Sequence, residues 1–376
     1  MNQHRGRDYS LDGIRGIAIV IVMIYHLVGV LAVSGADFHN PISKLIFVFI
    51  DDGWMGVDLF FTLSGYLITS ILLKTKAEPN YLKNFFMRRS LRIFPLYYFF
   101  LIIYFIVLPY FFGEYSRFQH LESRQVWYWT YMSNFEIFFK QKWSDPAHLW
   151  SLGIEEQFYW FWPFIVLLFS SRTFHWLTAI IFILQPLIRL AFVLSGVTGN
   201  VIPAFTFSHL DGLMVGAFIA TSLYRQTFTK ESLRKWGYYL FFGGLLARLA
   251  LPFIPVSFDI RRNVIAIDIW SLFSGGLILL SVTHAKESLI NTLLTNRLLV
   301  FAGTYSYGLY MIHQLIFQYI AFKFGSIAGA NLISLLQVGI LGGIASFIGA
   351  WLLFKYFESP FLNLKEHFSY AKIKSH

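Results

Sequence analysis

Two polar residues in an apolar stretch near the start of the chain have the types and the spacing that catalysis requires. Arg15 and His26 belong to the stretch Ile14–Val33. Because they are eleven residues apart, a helix places both on one face, with His26 roughly 16 Å further along the axis. A neutral imidazole there can take a proton from a hydroxyl as a general base. The competing interpretation is a hydrogen bond between helices that only stabilises the bundle.

Two aspartates accompany this pair. Asp12 lies one turn before Arg15, so it is expected to fix the Arg15 guanidinium. Asp58 lies one turn inside the second apolar stretch, where a carboxylate needs a partner from the bundle. For Asp58, a structural ion pair and a substrate-binding role both remain open.

Further ionisable residues lie at the predicted outer ends of apolar stretches. Glu155 and Glu156 begin one of them, and neighbouring helical residues point about 100° apart, so the two are not expected to serve one site together. A capping pair at a helix start is the alternative. Arg189, His209 and Asp211 are expected to cluster at the ends of neighbouring spans and to line a substrate pocket. Their spacing matches no metal motif, so no metal is predicted.

The elements that position these residues are membrane helices. Of the 376 residues, 56% are hydrophobic and 13% are charged, whereas soluble domains carry about 25% charged residues. The sequence therefore predicts one all-α domain over residues 1–376, a polytopic membrane helix bundle of ten transmembrane helices plus one half-length or re-entrant segment, Val126–Phe139. The predicted spans are Ile14–Val33, Trp54–Leu73, Ile93–Phe112, Leu149–Phe169, Trp176–Leu194, Leu210–Leu223, Gly237–Ile254, Val264–Val282, Leu298–Ala321 and Leu332–Phe354.

The charge distribution predicts the orientation. Most of the 30 Lys and Arg residues fall on one side if both termini are cytoplasmic, with a cytoplasmic tail from about residue 355. The predicted location is thus the inner or plasma membrane. The net charge of +10 suits contact with membrane lipids, because the basic residues lie in short loops and form no nucleic-acid recognition element. The absence of cysteine excludes a thiolate nucleophile.

Six motifs in order resemble the acyltransferase-3 family of integral membrane acyltransferases. They cover nearly the whole chain, and the chain is expected to be a stand-alone member without the hydrolase-like domain of larger relatives. The motifs are LDGIRGIAIVIVMIYH (Leu11–His26), GWMGVDLFFTLSGYLIT (Gly53–Thr69), FFMRRSLRIFPLYY (Phe85–Tyr98), HLWSLGIEEQFYWFWP (His148–Pro163), SYGLYMIHQ (Ser306–Gln314) and FESP (Phe357–Pro360).

This resemblance implies an enzyme that moves an acyl group from a cytoplasmic acyl-CoA, usually acetyl-CoA, to a hydroxyl outside. The acceptor would be a glycan or lipid-linked glycan of the envelope, such as a polysaccharide or lipopolysaccharide. The resemblance also implies that His26 and Arg15 are essential. It favours Glu155 as a catalytic residue, with Glu156 among the substrate-binding ones. His313, in a late span, is interpreted as an interhelical contact.

The resemblance also favours an acyl-CoA site at Arg88, Arg89 and Arg92, since one guanidinium group can bind two phosphate oxygens at once. Arg88 and Arg92 are four residues apart and share a helix face. Tyr97 and Tyr98 would then stack on the adenine. The alternative is that the arginines only anchor the topology.

Two other functions compete with an enzyme. Charges within spans also mark the paths of secondary transporters and flippases, although the sequence shows no inverted repeat. A structural subunit of polysaccharide export would need neither His26 nor a donor site.

The topology is testable with reporter fusions. Fusions at Pro79 and Thr229 should report a cytoplasmic location, and a fusion at Asp259 an external one, because this orientation keeps most basic residues inside. An external signal at Thr229 would mean that Val126–Phe139 crosses the membrane and that the later spans are inverted.

Overall fold

The computed structural model describes residues 8–33, 52–112, 124–324 and 332–370, and all regular secondary structure in these ranges is helical. The chain divides into two compact units. The first unit comprises Met1–Phe60 and His284–Ser359, and the second comprises Phe61–Thr283 and Pro360–His376. The prediction of an all-α fold is confirmed for the described residues.

The α-helices, numbered in chain order, are α1 (Tyr9–Val33), α2 (Met55–Thr75), α3 (Tyr81–Ile102), α4 (Leu108–Phe112), α5 (Gln125–Trp129), α6 (Ser133–Lys140), α7 (Trp150–Leu168), α8 (Ser171–Leu194), α9 (Asp211–Arg225), α10 (Lys230–Ala250), α11 (Ile267–Thr283), α12 (Leu289–Leu294), α13 (Arg297–Thr304), α14 (Ser306–Phe324), α15 (Leu332–Leu352) and α16 (Ser359–Asn363). Short 3-10 helices occupy Asp52–Trp54, Ala147–Leu149, Gly199–Ala204, Thr206–Ser208, Leu251–Phe253 and Leu364–Phe368. Wider π-helical turns occupy Ile103–Val107, Ile260–Ala266 and Leu353–Glu358.

Six helical stretches of the described residues are long and apolar enough to cross a membrane, which makes the chain a multi-pass membrane protein. Four of the ten predicted spans coincide with helices that are shorter or more polar, namely α7, α9, α10 and α14. The full count of ten therefore stays a prediction. The six stretches are Tyr9–Val30, Asp52–Thr75, Tyr81–Phe111, Ser171–Leu194, Ile260–Thr283 and Leu336–Phe368.

In the first unit, α1 lies against α12 and α13 with almost no space between the backbones. A Cβ atom on Gly13 would be 1.7 Å from the carbonyl oxygen of Leu294, and one on Gly16 would be 2.0 Å from that of Leu299. A Cβ atom on Gly303 would likewise be 1.8 Å from the carbonyl oxygen of Asp12. Small residues allow membrane helices to pack this closely. The contact fixes the depth and rotation of the helix that carries Arg15 and His26.

In the second unit, α2 and α9 pack through glycine in the same manner. A Cβ atom on Gly65 would lie 2.1 Å from the carbonyl oxygen of Leu213, and one on Gly216 would lie 2.0 Å from that of Thr62. The two backbones therefore touch directly, without side chains between them. This contact sets the position of Asp211 at the start of α9.

The predicted half-length segment forms the two short helices α5 and α6. Each has fewer residues than the roughly 20 that a span needs. Its polar residues are buried, since Asn134 is fully enclosed and Glu136 accepts hydrogen bonds from Lys140 and Ser144. The Gln157 amide of α7 donates to Asn134 Oδ1 at 2.9 Å and ties the segment to that helix.

The glycine contact of α1 gives a stability prediction. Gly13→Ala should lower the unfolding free energy by about 1–3 kcal/mol, because its Cβ overlaps a backbone carbonyl that must move. Gly29→Ala in the same helix is the matched control, since no described atom lies within 4 Å of its Cβ position. Thermal unfolding of both variants in detergent measures the difference, and equal melting temperatures would contradict the close contact.

Candidate functional site

The Arg15 side chain is fixed by its own helix. Its Nη1 donates to Asp12 Oδ1 at 2.5 Å, and the two residues are three apart, so their side chains lie on neighbouring positions of one face. Asp12 is 5% exposed, while the Arg15 side chain is 28% exposed. The expectation that Asp12 fixes the guanidinium is confirmed. The guanidinium of Arg15 therefore has a defined position and retains accessible surface.

His26 forms a hydrogen-bonded pair with a second histidine. Its Nδ1 lies 2.9 Å from Nε2 of His313 on α14, and the ring centroids are 5.0 Å apart. The His313 Nδ1 lies 2.8 Å from the Leu309 carbonyl oxygen. His313 has no exposed surface, whereas His26 is partly exposed. His313 thus makes a contact between helices, as the sequence analysis expected. The residue that it contacts, His26, is the candidate general base.

Asp58 lies in the first turn of α2 and is fully buried. An ionised carboxylate at such a position is costly, so Asp58 remains a candidate for the polar part of the site. Among the residues that the structure describes, no group of three or more His, Asp or Glu side chains could hold a metal ion.

The three arginines of α3 point to different partners. Arg88 binds the chain's own C-terminal segment, residues 364–370: its Nη1 lies 3.0 Å from the Lys365 carbonyl oxygen, and its guanidinium lies over the Tyr370 ring at 5.6 Å. The Asn84 amide donates to the Ser369 carbonyl at 3.1 Å. Burial raises the pKa of the Tyr370 phenol, and the charges of Arg88 and Arg89 oppose that shift. Arg88 therefore secures this segment.

Arg89 faces α7 instead. Its guanidinium lies over the ring of Tyr159 at 5.4 Å, a distance at which a cation is attracted to an aromatic face. The Tyr159 hydroxyl is hydrogen-bonded to Ser64 at 2.5 Å. Arg92 is partly buried one turn further along α3. Arg89 and Arg92 thus remain candidates for binding the phosphates of acyl-CoA, whereas Arg88 has a structural role.

The adenine-stacking expectation for Tyr97 is wrong. Tyr97 is fully buried, stacks on Tyr131 with centroids 4.0 Å apart, and donates its hydroxyl hydrogen to the Tyr128 carbonyl. Tyr98 stacks on Trp129 with the rings 8° from parallel. Both rings hold α3 against the segment of α5 and α6. Since the Tyr97 ring is packed inside the protein, it cannot stack on an adenine.

The two glutamates of α7 have different surroundings, as their angular separation predicted. Glu156 is 4% exposed; its Oε1 accepts from Trp160 Nε1 at 3.3 Å, and its Oε2 has no hydrogen-bond partner among the described residues. Glu155 is partly exposed. A buried carboxylate oxygen without a partner costs about 1–3 kcal/mol or more, which points to a functional use. The structure therefore raises the importance of Glu156 relative to the sequence interpretation.

Arg189 and Asp211 come together as expected, in a buried ion pair of the second unit. Arg189 Nη1 lies 2.7 Å from Asp211 Oδ2, and its Nη2 lies 2.9 Å from Asp268 Oδ1. Carbonyl oxygens of Ser208 and Val264 accept from the same two nitrogens. Acceptors of the chain itself thus bind both terminal nitrogens of the guanidinium, whereas its Nε has no hydrogen-bond partner among the described residues. The four bonds favour a structural role for Arg189 over substrate binding.

His209 is also tightly held. Its Nδ1 lies 2.8 Å from the Pro203 carbonyl oxygen, and its ring stacks on Trp150 with a centroid distance of 5.4 Å. Phe61 meets the ring edge-on. The residue is almost fully buried, so the structure favours a packing role for its ring.

Sequence reasoning missed two partners in these clusters. Asp268 lies in a predicted span and was not recognised as an ion-pair partner of Arg189. An acidic residue within a span is itself a signal that a positively charged side chain lies nearby. The pairing of His313 with His26 had a comparable signal, namely two histidines within separate spans. Neither partner could be assigned without knowing which helices are neighbours.

The imidazole and guanidinium groups fixed on α1 are groups that can move a proton and stabilise an oxyanion, two steps that group transfer requires. The model of the acyltransferase-3 family, described as an acyltransferase domain, matches residues 8–355. The chain belongs to this family. No solved structure matches it.

Curated relatives agree with this assignment. The chain is 36% identical over 171 residues to the peptidoglycan O-acetyltransferase OatA of Listeria monocytogenes, covering 43% of this chain and 24% of that protein. It is 29% identical over 337 residues to a putative O-acetyltransferase of Staphylococcus aureus, covering 83% and 51%. It is also 29% identical over 342 residues to the putative peptidoglycan O-acetyltransferase YrhL of Bacillus subtilis, covering 83% and 49%. The chain thus spans about half the length of these last two relatives.

Proposed function

We propose that the chain transfers an acetyl group from cytoplasmic acetyl-CoA to a hydroxyl of a cell-envelope glycan, of which peptidoglycan is the first to test. The observation that carries the proposal is the partly exposed His26 imidazole, held by a hydrogen bond on a helix long enough to span the membrane. The family supports acyl transfer, and two relatives, a peptidoglycan O-acetyltransferase and a putative one, support a peptidoglycan acceptor. Other envelope glycans and lipid-linked glycans belong to the same acceptor class.

In the proposed reaction, His26 acts as general base. It removes the proton of the acceptor hydroxyl as the hydroxyl oxygen attacks the thioester carbonyl. The C–S bond then breaks, and the coenzyme A thiolate leaves and takes up the proton from the imidazolium. Arg15, fixed by Asp12 and roughly 16 Å from His26 along the helix axis, holds the donor rather than the oxyanion. A route through an acetyl group carried on His26 uses the same residues.

The proposed donor site consists of Arg89 and Arg92, with Arg88 as its structural neighbour. Coenzyme A carries a pyrophosphate and a ribose phosphate, and guanidinium groups bind such oxygens bidentately. Arg89 lies over the Tyr159 ring, which keeps the guanidinium in one place. Arg88 holds the C-terminal segment next to the same helix.

The proposed acceptor side contains carboxylates that can bind sugar hydroxyls. Glu156 supplies a buried oxygen without a hydrogen-bond partner among the described residues, and Glu155 is more exposed on the same helix. Asp58 of the first unit and His209 of the second are separate further candidates, and Asp211 is held by its ion pair with Arg189. Hydrogen bonds from sugar hydroxyls to Glu156 would satisfy its second oxygen.

The proposed topology has ten spans in a single domain over residues 1–376, with both termini cytoplasmic in the inner or plasma membrane. The bias of basic residues toward the cytoplasmic side supports it. The two helices of the half-length segment support a piece that does not cross, since they are five and eight residues long.

The first test is the His26→Ala variant in cells that lack the chromosomal copy. Without the base, envelope O-acetylation should fall by about 10²- to 10⁴-fold, the usual contribution of general-base catalysis. Alkaline release of acetate from purified peptidoglycan and other envelope glycans measures the effect and identifies the acceptor.

His367→Ala is the control, because His367 is an exposed histidine of the C-terminal segment and should leave O-acetylation unchanged. Membrane protein levels must be equal in all strains. Near-normal O-acetylation by His26→Ala at equal protein level would rule out His26 as base or acyl carrier.

The donor site is testable by charge-preserving substitutions measured against acetyl-CoA binding in nanodiscs. Arg89→Lys with Arg92→Lys keeps the positive charge but loses the planar fork, so the Kd should rise about tenfold or more. Arg88→Lys is the matched control from the same helix turn and should bind acetyl-CoA nearly as well as the wild type. Unchanged binding by the double variant would place the donor phosphates elsewhere.

A further inference from the structure

The C-terminal segment is attached to the first half of α3 through its main chain. Arg88 Nη1 donates to the carbonyl oxygens of Lys365 at 3.0 Å and of Phe368 at 3.4 Å. The Asn84 amide, one turn before Arg88, donates to the Ser369 carbonyl oxygen at 3.1 Å. Because all three acceptors are main-chain oxygens, these bonds fix the path of the segment whatever side chains it carries.

This path brings Tyr370, the next residue, to the arginines of α3. The Arg88 guanidinium lies over the Tyr370 ring, 5.6 Å from its centroid, which is within the range of a cation–π contact. Burial raises the pKa of the Tyr370 phenol and the charges of Arg88 and Arg89 lower it, so the phenol lies near both guanidinium groups. Arg92 is four residues after Arg88, about 5–6 Å away between Cβ atoms. Tyr370 therefore borders the proposed phosphate site.

The Tyr370 ring can bind a second flat group. Arg88 covers one face of the ring, yet Tyr370 is still partly exposed, in contrast to Tyr97, which is fully buried. An aromatic ring stacks on any nucleobase, since every base has a flat π-face. The adenine of coenzyme A is joined to its phosphates through a single ribose, so phosphates held by Arg89 and Arg92 keep the adenine near this part of α3.

We propose that Tyr370 is the adenine-binding residue of the acyl-CoA site, with the base against its ring and Arg88 holding the ring from the other face. The inference rests on the proposed donor site at Arg89 and Arg92. It gives that site a nucleotide-binding residue from outside α3. It also gives the structural role of Arg88 a purpose, because the bonds of Arg88 to the C-terminal segment place Tyr370.

Two donors that differ only in the nucleotide test this role. S-acetyl-4′-phosphopantetheine has the thioester and one phosphate of acetyl-CoA but no adenosine. In nanodiscs, Tyr370→Ala should raise the Kd for acetyl-CoA about tenfold, because the stacking contact is lost, and leave the Kd for S-acetyl-4′-phosphopantetheine unchanged. Tyr370→Phe keeps the ring and should bind acetyl-CoA within about twofold of the wild type.

Tyr110→Ala is the matched control. Tyr110 is an 84% exposed tyrosine of α4, so the same truncation there should leave the Kd of both donors unchanged. An altered Kd in this control would mean that the assay responds to any loss of aromatic surface.

A second measurement uses the wild-type protein and does not depend on the stability of a variant. Coenzyme A with an azido group on C8 of its adenine should, on irradiation, label the residues next to the base. Trypsin cleaves after Lys365 and Lys372, so the label should appear on the peptide 366–372, which contains Tyr370. Excess acetyl-CoA should suppress this labelling.

The outcomes distinguish the inference from the proposed donor site. Unchanged acetyl-CoA binding by Arg89→Lys with Arg92→Lys would remove that site and the inference with it. Weakened binding by this double variant beside unchanged binding by Tyr370→Ala would overturn only the adenine contact. So would an equal loss of both donors in Tyr370→Ala, a Tyr370→Phe variant as weak as Tyr370→Ala, or a label confined to other peptides. Tighter acetyl-CoA binding by Tyr370→Ala would instead show that the segment obstructs the site.

Discussion

The hydrocarbon core of a bilayer contains no water, so the polar groups of a spanning helix must find their hydrogen bonds inside the protein. This constraint explains the described polar contacts. Arg189 is surrounded by acceptors of its own chain, and the Gln157 amide binds Asn134 of a short helix. His313 donates to the carbonyl of its own helix and meets the imidazole of His26. Each contact fixes the relative position of the segments that it joins.

The same constraint separates scaffold from chemistry. The Arg189 guanidinium makes four hydrogen bonds within the chain through Nη1 and Nη2, so only its Nε has capacity left for a ligand. Glu156 is the opposite case, since one of its oxygens is buried and has no hydrogen-bond partner among the described residues. The energetic cost of such an atom is tolerated most readily where a substrate supplies the missing bond.

Much of this organisation could be predicted from the sequence, because it depends on local properties. The length of the apolar stretches predicted an all-helical membrane fold. The three-residue spacing of Asp12 and Arg15 on a helix predicted their contact. Contacts between helices were not accessible, because helix packing rather than sequence spacing decides which faces meet. For this reason His313 was not linked to His26, and the arginines of α3 were treated as one group although Arg88 binds the C-terminal segment. Tyr97 was misassigned for the same reason, since its ring faces are occupied by the protein itself.

The direct backbone contact between α1 and its neighbours also affects how genetic data on this enzyme are interpreted. Gly13, Gly16 and Gly303 have no side chain to take part in a reaction, yet each occupies a place that no other amino acid fits. A screen that scores only lost acylation would recover these glycines together with His26, as if they were one functional group. Only a parallel record of protein abundance can sort architectural positions from chemical ones, and along α1 the two kinds alternate within a few turns.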